Sequence, residues 1–166
     1  MTDIEKIIGT LGLAPHEEGG WFRQTYASEG SVPGTALPAH GGDRSFATSI
    51  LFLLSSDQFS AFHRIASDEV WYHHEGDPVD IHVIGTGGAL ECRRLGPASV
   101  GLDPQVAVEA GSWFASAVAP GGRWALTGCA VAPGFDYEDF ELADRKTLTE
   151  EFPRYAETIA AFTRIG

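Results

Sequence analysis

The sequence predicts an all-β domain of antiparallel strands, with helix only at its two ends. Three observations carry that prediction. Between residues 21 and 131 the chain breaks into short runs rich in β-branched and aromatic residues: Trp21 to Ala27, Phe46 to Leu54, Phe59 to Ile65, Glu69 to His74, Val79 to Ile84, Ala89 to Leu95, Gln105 to Glu109, Ser112 to Val118 and Arg123 to Val131. No helical periodicity separates consecutive runs, which removes the crossover helices that a parallel sheet needs and leaves a sandwich or barrel. The 20 glycines and 9 prolines serve the many turns that such a chain requires.

Each end has its own reason to be helical. Thr2 caps a helix whose apolar positions Ile4, Ile7, Ile8 and Leu11 follow helical spacing, with Asp3 and Glu5 in the first turn; Gly12 and Pro15 stop it. Thr147 to Phe152 reads as a helical turn. A second segment starts at Pro153 and directs Tyr155, Ile159 and Phe162 toward the sheet. The stretch from Gly30 to Asp43 reads as an exposed loop. One domain, residues 1–166, accounts for the length.

Charge and cysteine usage narrow the partners. Eleven Lys and Arg stand against 23 Asp and Glu, a balance that repels phosphate backbones and anionic lipid, so nucleic acid is not an expected partner. Cys92 and Cys129 are too few and too far apart for a disulfide framework, and the expectation is two free thiols in a cytoplasmic protein. No stretch nears the ~20 apolar residues of a membrane helix, and no membrane partner is expected.

Candidate chemistry concentrates between Phe59 and Gly76. Strand alternation puts His63 with Ile65, and Glu69 with Trp71 and His73; pairing of the two strands around Ala66, Ser67 and Asp68 would bring those five side chains into one cavity. Glu69 facing His63 would orient the imidazole, raise its basicity and leave one ring nitrogen to move a substrate proton. Arg64, on the opposite face, is expected to pair with Asp68 or Glu75. Arg23 and Tyr26, in the first strand, are candidates for the cavity mouth. His82 reads as a surface histidine and Cys129 as a buried, inert thiol.

His63, Glu69 and Gly76 resemble the first motif of the cupin superfamily, G-x5-H-x-H-x3-4-E-x6-G, with Asp57 at the first glycine and Ile65 at the second histidine. The second motif, G-x5-P-x-G-x2-H-x3-N, maps onto Asp103, Glu109, Gly111, Phe114 and Val118, and keeps only Gly111. More specific words, Ser60 to Arg64, Ser67 to Trp71, Glu109 to Trp113, Val131 to Glu141 and Pro15 to Tyr26, are similar to a family of single-domain cupins of unknown function. The resemblance implies a jelly-roll β-barrel (double-stranded β-helix) and a homodimer, in which a second copy covers exposed edge strands.

In metal-binding cupins three histidines and a glutamate hold the ion. Here only His63 and Glu69 stand at those positions, because Ile65 and Phe114 offer no lone pair, so the expectation is no metal, or a weakly held divalent ion on His63 and Glu69. His73 lies four residues beyond Glu69, roughly 13 Å along a strand, too far to share one ion. Trp71 and Phe114 would form an apolar wall, with His73, Arg23 and Tyr26 as further ligand contacts. Metal-free cupin epimerases use a histidine with a carboxylate partner, so the resemblance implies a metal-independent sugar or keto-compound isomerase or epimerase. Two other uses of the cavity stay open: a small-ligand binding module without chemistry, and a metal-dependent oxygenase or isomerase with an atypical ligand set.

Overall fold

The computed structural model describes residues 2–165. In chain order the helix α1 (Asp3–Leu11) precedes strands β1 (Ala14–Pro15), β2 (Trp21–Ala27), β3 (Ser31–Val32), β4 (Arg44–Ser45), β5 (Thr48–Ser55), β6 (Phe59–Arg64) and β7 (Asp68–Gly76). Strands β8 (Val79–Ile84), β9 (Leu90–Leu95), β10 (Gln105–Val108), β11 (Trp113–Val118), β12 (Trp124–Ala132) and β13 (Glu141–Leu142) follow, then helices α2 (Arg145–Glu151) and α3 (Ala156–Ala161). All nine sequence-expected strands are present within two residues of their expected ends. The short pairings β1, β3, β4 and β13 carry too little pattern to be read in advance.

Two antiparallel sheets face each other. One runs β1-β2-β5-β12-β7-β10 and the other β13-β6-β11-β8-β9. The expected hairpin between β6 and β7 does not form: β6 pairs with β11 and β13, and β7 with β12 and β10. The Ala66–Ser67 connection therefore crosses from one sheet to the other, and His63 and Glu69 enter the interior from opposite walls.

Alternation then sorts the interior into two zones. Along β5, Phe52 and Leu54 belong to the packed layer, whereas Thr48 and Ile50 line a cavity; along β7 the same step separates Trp71 from Glu69. Trp71, Phe52, Phe114, Ile81 and Leu95 are each no more than 1 % exposed and close one end of the barrel. Outside the first sheet, α1 lays Ile4, Ile7, Ile8 and Leu11 over Leu53 and Leu126. The cap expected at Thr2 is present and is completed as a capping box, with Glu5 reaching back to the Thr2 amide at 2.7 Å.

Outside the second sheet, the C-terminal helices pack Leu148, Ile159, Tyr155 and Phe162 on Phe62, Ile84 and Trp113. Asp144 caps α2 by accepting from the Thr147 amide, which starts that helix two residues earlier than its sequence pattern suggests. Arg64 pairs with Glu141 at 2.7 Å and lies over the Trp113 ring, not with Asp68 or Glu75, because β13 docks beside β6. His82 is half-buried against Phe162, with ring centroids 4.5 Å apart.

Candidate functional site

The open end of the barrel holds a cavity of about 240 Å³. Its polar residues are His16, Glu18, Gln24, Thr48, His63, Glu69, Cys129 and Tyr137, and Phe22, Ile50, Ile65, Val131 and Phe135 complete the wall. His63 and Glu69 thus meet in one space, as expected. The carboxylate that contacts His63 is a different one.

Glu18 reaches His63 Nε2 with its Oε2 at 3.0 Å, and both side chains are less than a tenth exposed. The other ring nitrogen, Nδ1, donates to the Ala61 carbonyl at 2.7 Å. Both nitrogens have acceptors, which is the arrangement of an imidazolium. Burial opposes that charge, but the Glu18 carboxylate beside the ring outweighs it and raises the His63 pKa. Reciprocally, burial would lift Glu18, and the His63 cation wins and holds its carboxyl below the usual range.

The loop that carries Glu18 is built for this placement. His16 and Gly20 are bonded across the turn at 3.0 Å, with Gly19 and Gly20 at φ values of 114° and 76°. The Glu18 carbonyl accepts from the Ala61 amide at 2.9 Å and from Arg164 at 3.0 Å. Ala61 therefore ties Glu18 through its N–H and His63 through its carbonyl. His16 accepts from the Glu18 amide at Nδ1, 3.2 Å away, and burial lowers its pKa, which keeps that ring neutral.

Glu69 enters from β7, is 8 % exposed, and has no ion pair among the described residues, with the Cys129 thiol and the Trp71 indole as its neighbouring donors. Burial is the main cause that pushes its carboxyl up to about 7; the nearby His63 charge opposes this and the Glu18 charge adds to it. The Cys129 thiol beside it is also buried, and burial raises its pKa well above the ordinary thiol value, so it is no ready nucleophile.

The remaining expected contacts distribute differently. Trp71 and Phe114 belong to the packed layer beneath the cavity, with Phe114 4.1 Å from the His63 ring. His73 lies beyond that layer and faces the Asp77 carbonyl at 3.3 Å, outside the cavity. Arg23 alternates away from Phe22 and Gln24, which do line the cavity. A bulge between Gln24 and Tyr26 pairs Tyr26 with Ser49 instead of keeping it in phase with Ile50, and its ring is 56 % exposed.

The cavity is roofed by residues 133–140, not by the 30–43 loop. Phe135 and Tyr137 from this segment line it, and Phe140 stacks on His63 at 5.3 Å. Arg44, 4 % exposed, clamps Asp139 through Nε at 2.7 Å and Nη2 at 2.8 Å, and the Gly41 amide donates to the same carboxylate.

A cupin metal does not fit these residues. Ile65 and Phe114 supply no donor, His63 Nε2 is directed at Glu18, and among the described residues no three His, Cys, Asp or Glu side chains converge on a point that would hold an ion.

A two-sheet antiparallel barrel, closed by packing at one end and polar at the other, is the cupin architecture. The chain belongs to the family described as Cupin superfamily (DUF985), which it matches over residues 5–143. It is similar to a protein of known crystal structure from Shewanella oneidensis at 34 % identity and a TM-score of 0.88, with all of both chains covered. A hypothetical protein from Leishmania major gives 32 % identity and a TM-score of 0.89, covering 97 % of this chain and 98 % of that one. Oxalate decarboxylase from Bacillus subtilis shares the fold alone, at 13 % identity and a TM-score of 0.54, with 36 % of its own length covered. No curated protein matches.

Proposed function

We propose that the cavity binds a small organic molecule, a sugar derivative or keto compound, and moves a proton on it without a metal, as an isomerase or epimerase does. The observation that carries this reading is Glu69: a buried carboxyl with no ion-pair partner among the described residues, facing a cavity, with its pKa near 7. A group poised near neutrality can both take and return a proton. In its ionised form Glu69 takes the proton from a hydroxyl-bearing carbon next to a carbonyl, and the C–H electrons move onto the carbonyl oxygen. The hydroxyl proton passes to that oxygen and Glu69 returns its proton to the former carbonyl carbon, giving the isomer; if the enolate turns over first, the proton returns to the other face of the original carbon, giving the epimer.

Both His63 nitrogens already donate, so this imidazole is not the free base that strand alternation suggests. Held between Glu18 and the Ala61 carbonyl, it forms with Glu18 a fixed, net-neutral dipole in the cavity wall.

Hydrogen–deuterium exchange into a panel of keto sugars and other keto compounds in D2O tests the reading. Exchange at the carbon next to the carbonyl is expected, falling at least about 100-fold in Glu69→Gln and strongly in His63→Ala. Exchange that survives both substitutions overturns the assignment. Thermal stabilisation by a panel member without any exchange would instead mark a binding module.

A further inference from the structure

We propose that the cavity selects uncharged carbonyl or polyol compounds and rejects molecules that carry a phosphate or carboxylate. This rests on the reading of the cavity as the ligand site, and it narrows the substrate class.

Among the described residues, the lining contains no Lys and no Arg. The one cation it holds, His63, is spent on the Ala61 carbonyl and on Glu18 at 2.7 and 3.0 Å. His16 has its Nδ1 occupied by the Glu18 amide and stays neutral through burial. The arginines around the cavity are committed elsewhere. Arg44 is held by Asp139, Arg164 by the carbonyls of Glu18 and Phe59 outside the cavity, and Arg23 points off the other face of β2. An incoming anion would lose its water and find Glu18 and Glu69, with no free cation to replace that hydration. An uncharged ligand meets the opposite situation. Glu18 and His63 cancel, and a protonated Glu69 offers a donor to a carbonyl or hydroxyl oxygen. The whole chain, at a net charge of −12, adds a field of the same sign.

The test uses Cys129, which lines the cavity, in a Cys92→Ser background that leaves it the single thiol. Iodoacetamide and iodoacetate have nearly the same shape and differ by one charge. With each, the thiolate sulfur displaces iodide, so the low thiolate fraction cancels in the ratio of the two rates. The amide-to-carboxylate rate ratio at Cys129 is expected to exceed that of a free neutral thiol such as N-acetylcysteinamide by about 100-fold, or roughly 2.7 kcal/mol of discrimination. A ratio less than about tenfold above that of the free thiol overturns the proposal. If neither reagent modifies Cys129 or a cysteine placed by Ile50→Cys, the cavity admits no small molecule and the proposal also fails. Because this readout needs no turnover, absent deuterium exchange would sink the isomerase reading and leave charge selection standing. A low ratio would do the reverse.

Discussion

At the residue scale, the site places three ionisable groups where water is scarce. Glu18 and His63 satisfy one another, and Glu69 is left to hold a proton. Folding therefore carries a pH signature. The Glu69 carboxyl rises from 4.5 unfolded to about 7 folded, so between those values the folded state holds more protons and stability falls as pH rises. That difference amounts to about 3 kcal/mol. The His63 charge stabilises the fold fully below 6.5, and this contribution is lost as pH climbs through its raised folded pKa; the Glu18 contribution is lost only as pH drops below 4.5 toward its depressed folded value. The three windows leave the cluster most stabilising near pH 5. Denaturant titrations from pH 4 to 8.5 should show wild type losing about 3 kcal/mol between pH 4.5 and 7 that Glu69→Gln does not lose. Parallel curves for the two proteins would refute the assignment.

At the element scale, the loop between β1 and β2 decides which carboxylate His63 meets. Gly19 sits at φ 114°, and a side chain there would drive into the Phe59 carbonyl, a backbone atom that cannot swing aside. Gly19→Ala should cost at least about 2 kcal/mol and lower the His63 pKa measured by NMR, since Glu18 rides on that loop. A variant within about 0.5 kcal/mol of wild type, with its histidine titration unchanged, would show that the turn does not position Glu18. The sequence held a trace of this arrangement: His16-Glu17-Glu18-Gly19-Gly20 places two carboxylates before a double glycine, the composition of a tight turn. Nothing local says that the turn tucks one carboxylate inside the barrel, because the partners that pull it in, Ala61, His63 and Arg164, are 43 or more residues away.

At the scale of the whole molecule, each sheet needs cover on its outer face as well as a core between the two. The C-terminal helices bury Leu148 and Ile159 against the second sheet, at 2 % and 0 % exposure, and Arg164 returns to the Glu18 loop. Burying two such side chains is worth roughly 3 to 6 kcal/mol, a large fraction of the stability of an ordinary domain. A chain truncated after Leu142 is expected to lose its cooperative thermal transition and to expose Phe62 and Trp113. A truncated chain melting within about 5 °C of the full protein would show that the helices are dispensable.

The sequence by itself determined the strands, their antiparallel class, both terminal helices and the presence of His63 and Glu69 on interior faces. Those features follow from alternation, capping and turn chemistry, which act over a few residues and leave their mark in the spacing of Ile50, Phe52 and Leu54 or of Thr2 and Glu5. The tertiary structure alone decided that β6 and β7 lie in opposite sheets, that Glu18 is the partner of His63, that Tyr26 slips out of phase at a bulge, and that Trp71 packs beneath the cavity while Phe135 and Tyr137 roof it. Those outcomes depend on which distant segments share a low-dielectric space, and burial there sets the charges: a glutamate that a strand pattern marks only as inward-facing becomes, among Ile65, Val131 and Cys129, a carboxyl that keeps its proton near neutrality.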